Sequence, residues 1–239
     1  MDCKKEILLL RADLQKHVNA KYKQGATNYF KEQIRPHGVR LPTVHKIAAE
    51  HFKRLRKQGW SKADFFALAE ELQKTGWFEE TTAAYSMLEH LEREFIEDDF
   101  ATFAFWLEKY VSNWAHCDHL TNHHVGYLLE KYPQLVKRLY PHAKSKNRWM
   151  KRSACTSLIL PARHGLFLSD CLKIAQILHQ DRDDLVLKGA GWMLREAGKR
   201  HEDAVYNFLL QIRKKAGRVL LRYAIEKMPK QRKEAVLYG

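Results

Sequence analysis

Apolar residues along this chain recur at intervals of three and four, the spacing of one helix face, and almost nowhere alternate as strand residues would. In FFALAEELQK (65–74), Phe65, Leu68, Ala69 and Leu72 share a face. In DFATFAFWLEKYV (99–111), Phe100, Phe103, Leu107 and Val111 do so, and in DCLKIAQILHQ (170–180), Leu172, Ala175, Ile177 and Leu178. Ser61 and Ser169 stand where a side-chain oxygen accepts from the free amides of a first helical turn. Glycine and proline fall mainly between such segments, at Gly25, Pro36, Gly38, Pro42, Gly59, Gly76, Pro133, Pro141 and Gly165. No hairpin signal interrupts the pattern, and no stretch reads as a linker. The expectation is one all-α domain over residues 1–239, of roughly a dozen helices at typical helix lengths. Residues 229–239 read as a flexible basic tail.

Tryptophan marks a recurrence. Trp77, Trp114, Trp149 and Trp192 lie 37, 35 and 43 residues apart, and Trp-Met-x-Arg occurs at both 149–152 and 192–195. A period near 40 with two helices per unit is that of HEAT-like repeats, which stack into a curved α-solenoid because no single pair buries its own apolar face. Residues at matching repeat positions then line one side, which would group Asp118, Arg152 and Arg195 with Trp114 and Trp192. For Trp77 and Trp149, core packing is the expected role.

Composition narrows the partners. The 239 residues carry a net charge of +14, and 45% of them are apolar, enough for a core. Such an excess suits a polyanion, nucleic acid being the usual one, although a basic surface can also serve solubility alone. The four cysteines, at 3, 117, 155 and 171, show no CxxC spacing and no disulfide framework. A reducing compartment fits them. The N-terminal apolar run is short and flanked by charge, unlike a secretory signal, and no stretch approaches the roughly 18 apolar residues of a membrane span. A soluble, cytoplasmic, monomeric protein is expected, nucleoid-associated if bacterial, with no membrane partner.

The densest chemistry lies in NWAHCDHLTNHH (113–124). His119 and His123 have a zinc-compatible spacing, but HExxH is absent and no Cys/His cluster supplies further ligands, so no metal is expected. Cys117 reads as a buried thiol rather than a nucleophile, because its neighbours His116 and Asp118 point in other directions on a helix. Trp114 and Asp118, at i and i+4, share a face. An aromatic plane beside a carboxylate suits a flat cation; the plainer reading is a half-buried Trp with its Asp in solvent.

These segments resemble the AlkD-like DNA alkylation-repair glycosylases, which are built from HEAT-like repeats. The likeness rests on NWAHCDHL (113–120), NRWMKRSACTSLI (147–159), KGAGWMLREAGK (188–199) and TNYFKEQIRPHGVRLPTVHKIA (27–48), in order along most of the chain. It implies hydrolysis of the N-glycosidic bond of N3- or N7-alkylated purines in double-stranded DNA, without cofactor or metal and without the base-flipping pocket of most glycosylases. By the same resemblance, Asp118 stabilises the oxocarbenium-like sugar, Trp114 and Trp192 cradle the damaged nucleotide, and Arg152 and Arg195 hold flanking phosphates. Arg148, Lys144 and Lys146 extend the basic stretch, and Tyr29 matches an aromatic near the DNA. One departure is Ala115, where family members often carry a second Asp. The alternatives are a non-catalytic HEAT-repeat protein that binds damaged or distorted DNA and, more distantly, a protein-binding scaffold.

Overall fold

The computed structural model describes residues 2–239 and is helical throughout, with no strand among the described residues. None of these helices is long and apolar enough to cross a membrane. The chain divides into two compact units, Met1–Phe95 with Tyr110–His119, and Ile96–Lys109 with Leu120–Gly239. Within each, helices close to one another in sequence, though not always consecutive, pack together, the local construction of the α-solenoid class.

In the first unit, helix Phe78–Glu89 is the hub. It packs on Leu41–Lys57 and Lys62–Lys74, and Cys3–Gln15 packs on both of those. Nearly the whole of it is buried, and from Thr81 to Ser86 it offers only uncharged residues, small except for Tyr85, to its neighbours. Phe65, Leu68, Ala69 and Leu72 face inward as the spacing predicts, and Ser61 forms a full capping box with Asp64. The hub also buries two carboxylates. Glu79 accepts the backbone amides of His37, Gly38 and Val39 at 2.7, 2.8 and 3.0 Å. Glu80 is paired with Arg11 at 2.7 Å and His37 at 2.9 Å. Burial pushes the Glu80 carboxyl up, but hydrogen bonds from His37, Arg11 and Thr75 outweigh it and bring it down to about 2. The segment pinned by Glu79 turns at Gly38, whose φ is 102°; a Cβ there would lie 2.7 Å from that of Lys23.

In the second unit the hub is Asp184–Ile212, against which Arg148–Thr156, Ile159–Arg163, Leu168–Leu178, Arg218–Ala224 and Lys230–Tyr238 pack. It bends at His201, whose φ and ψ of −136° and 48° leave the helical region, and the His201 ring bonds the Gly165 carbonyl at 3.0 Å. Gly191 permits a close crossing, since a Cβ there would lie 2.5 Å from that of Tyr223. The segment read as a tail carries helix Lys230–Tyr238, which buries Val236 and accepts Arg213 at the Ala235 carbonyl.

Two local expectations need correction. Helix Leu168–Leu178 begins one residue before Ser169, behind Phe167 in the left-handed region (φ 56°), so Ser169 is inside the first turn and caps nothing. Its buried stripe is Cys171, Ile174, Ala175 and Leu178, while Ile177 is exposed. The buried face is shifted because the thiol of Cys171 packs as a small apolar residue. The tryptophan spacing is also uneven in structure. Trp77, Trp114 and Trp149 stand at or beside helix starts, whereas Trp192 is inside Asp184–Ile212.

Candidate active site and DNA-contact residues

Asn113 nucleates the helix Trp114–His119. Its Oδ1 accepts the His116 amide at 2.9 Å, a capping bond to the third residue of the turn, and its Nδ2 donates to His116 Nδ1 at 2.9 Å. The other ring nitrogen of His116 then donates to the Phe78 carbonyl at 3.0 Å. His116 is buried and stacked on Phe78. Burial holds its imidazole down to about 3, against the smaller upward pull of the Phe78 bond, so it is neutral at physiological pH. With His116 and Cys117 turned inward, helical spacing leaves Trp114 and Asp118 together on the half-exposed face.

The histidines do not converge. His119 bonds Glu89 at 2.6 Å, and His124 is buried against Phe103. The chain also changes from α to π geometry over Leu120–Val125, which breaks the i,i+4 register that zinc spacing assumes. Cys117 is fully buried, as its neighbours suggested.

Trp114 stands in an aromatic corner absent from the sequence reading except for Tyr29. Phe30 stacks on it at 5.2 Å and 17°, and Tyr29 meets it edge-on at 6.0 Å while remaining 71% exposed. A cavity of about 640 Å³ opens beside it, with Tyr22, Phe78, Val39 and Ala115 also on its walls. Tyr22, Tyr29 and Phe30 carry a faint sequence signal, a spacing of seven and eight along one helix.

The remaining candidates belong to the second unit. Trp192 is half-buried. Arg195 is mostly covered and pairs with Glu226, more distantly with its neighbour Glu196 at 3.5 Å. Arg148 is exposed, pairs with Asp183 at 2.6 Å and lies over the Trp149 ring. Lys144 and Lys146 are exposed and have no carboxylate partner among the described residues. Arg152 differs from expectation. It is 5% exposed, donates to the Leu185 carbonyl, and lies in the space left by Gly189, where a Cβ would be 3.5 Å from its Cγ. Its guanidinium ties Arg148–Thr156 to Asp184–Ile212 rather than standing open to a phosphate.

The sequence pattern of the DNA alkylation repair enzyme family matches residues 10–228. The chain belongs to the DNA alkylation repair enzyme family. Its fold is also that of a solved structure, "Predicted DNA alkylation repair enzyme from Enterococcus faecalis", with a TM-score of 0.80 over 90% of this chain and 98% of that one, at 14% identity. No curated protein matches the chain in sequence. This family member therefore carries a half-exposed Trp–Asp pair on a short, capped helix of its first unit and a separate set of basic residues in its second.

Proposed function

We propose that this protein is a monofunctional DNA glycosylase that hydrolyses the N-glycosidic bond of N3- or N7-alkylated purines in double-stranded DNA. The observation that carries the reading is the Trp114–Asp118 face, held outward by the buried Asn113–His116 pair in a member of an alkylation-repair family. An alkylated purine is already cationic and leaves readily. As the bond to it breaks, positive charge grows on the deoxyribose, and a fixed carboxylate stabilises that charge. Asp118 takes this role and orients the attacking water. Trp114 offers its aromatic face to the cationic nucleotide and its sugar. Water supplies the hydroxyl to the sugar carbon, the alkylated base departs neutral with the electron pair of the broken bond, and the water's second proton is released to solvent, so no cofactor is consumed.

Phosphate contacts are assigned to Arg148 and Arg195, which exchange their carboxylate partners for DNA, and to the unpaired Lys144 and Lys146. Arg152 positions the helix that carries Arg148. Tyr29, exposed beside Trp114, lies against the strand. Most of these side chains act from the surface, which supports excision of a lesion that stays outside an enclosing base pocket. The deciding experiment uses a duplex with a single N7-methylguanine. Abasic sites formed faster than spontaneous depurination support the glycosylase; tight binding at the spontaneous rate would instead favour the non-catalytic binder of damaged DNA.

A further inference from the structure

Helix Ala20–Tyr29 buries none of its residues, yet it is clearly placed, with Asn19 capping Tyr22 at 2.8 Å and the Asn19 amide bonded to the Gly38 carbonyl at 2.9 Å. Tyr22, Ala26, Tyr29 and Phe30 follow one helical face, and all four line the 640 Å³ cavity, together with Phe78 and Trp114. This volume lies within the range of roughly 300–1,000 Å³ typical of small-molecule sites. Tyr22, Tyr29, Phe30, Phe78 and Trp114 give it one aromatic side. At its rim stand Lys21 and Arg40, both exposed and neither with a carboxylate partner among the described residues. The Arg40 guanidinium lies 5.7 Å from the Tyr22 ring. The cavity's one carboxylate, Glu79, is occupied by three backbone amides. The site therefore offers flat π surfaces within and uncompensated positive charge at the entrance.

We propose that this cavity binds a single unstacked nucleotide, its base against the aromatic side of the cavity and its phosphate at Lys21 and Arg40. Base–aromatic stacking tolerates every base, and cations at the rim of a stacking platform hold the backbone. A neutral apolar ligand would leave the two cations unused, and a simple anion would leave the aromatic side unused. The nucleotide can be free in solution or be an unpaired residue of a DNA strand. The strand source rests on the DNA-repair reading above, and the free-nucleotide source does not.

Two binding arms separate the sources. In one, deoxyadenosine monophosphate is titrated into the whole protein, with deoxyadenosine as the uncharged control. In the other, a duplex with a one-nucleotide bulge is compared with the same duplex fully paired. Ala26→Trp fills the cavity from a helix that buries nothing, so folding is retained, and Arg40→Gln removes one cation. Wild type should bind the monophosphate saturably. Ala26→Trp should weaken it at least tenfold, and Arg40→Gln should weaken it several-fold while leaving deoxyadenosine unchanged. Preference for the bulge, lost in Ala26→Trp, assigns the site to a strand; an Ala26→Trp effect on the monophosphate alone assigns it to the free nucleotide. No effect of Ala26→Trp in either arm overturns the proposal. Abasic-site formation on methylated duplex is scored separately on wild type, so failure of the glycosylase reading shows in a different assay.

Discussion

At the scale of single residues, geometry divides side chains that look alike in sequence. Four histidines crowd 113–124, yet His116 is a buried helix anchor and His119 a partner of Glu89. Trp114 and Asp118 were legible because a spacing of four fixes a shared face whatever surrounds it. The aromatic corner around Trp114 was not, since Phe30 and Tyr22 reach it only through the path of the chain. Nor was the burial of Arg152 against Gly189, with its guanidinium on the Leu185 carbonyl. Arginine in a basic sequence reads as surface charge, and burial of one paired cation is a tertiary outcome. Arg152→Ala should therefore lower stability by about 1.5–3 kcal/mol, the range for hydrogen bonds to charged groups, measured by denaturant unfolding. The salt slope of DNA binding should stay unchanged; a shallower slope would return Arg152 to the phosphate contacts.

At the scale of elements, the hubs were legible as helices but not as hubs. Periodicity places an apolar face on a helix, and it does not say that Phe78–Glu89 or Asp184–Ile212 will be enclosed by several neighbours. The start of Leu168–Leu178 was misplaced because capping residues signal a helix start only when the preceding backbone is extended, and here Phe167 is left-handed. Gly189 and Gly191 are inside the long helix, and Gly191 admits the helix that carries Tyr223. Gly191→Ala gains helix propensity but forces a Cβ into Tyr223 and the Leu220 carbonyl. A net loss of about 1–3 kcal/mol is expected from overpacking. Stabilisation by this substitution, read from the melting temperature, would contradict the close crossing.

At the scale of the whole molecule, charge and proton balance set the behaviour. The net charge of +14 was evident from composition, but which cations are free to meet DNA depends on pairing. Lys144 and Lys146 together should each contribute about 0.9 to the salt slope of duplex binding. The Lys144→Ala, Lys146→Ala double variant should flatten that slope by about 2, and an unaltered slope would remove both from the interface. Acid should destabilise the fold in two stages. His116 and His142 are held by burial at about 3 and about 4, below the ordinary 6.5, so the unfolded chain binds their protons first and stability falls as pH drops below 6.5. Glu80 lies at about 2 in the folded chain against an ordinary 4.5, so its contribution is complete above about 4.5 and is lost as pH falls toward 2. A melting temperature that is flat from pH 6.5 to 4.5 would contradict the neutral, buried histidines.

The role of Asp118 is the centre of this picture of the protein, and one comparison tests it. Wild type and Asp118→Asn are given the same duplex carrying N7-methylguanine, with EDTA present, and both free-base release and duplex affinity are measured. Release should fall in Asp118→Asn to the spontaneous rate, a loss of at least a hundredfold for a residue that stabilises transition-state charge, while affinity changes by less than about threefold. Equal release by the two proteins, or affinity lost together with release, would contradict a catalytic Asp118.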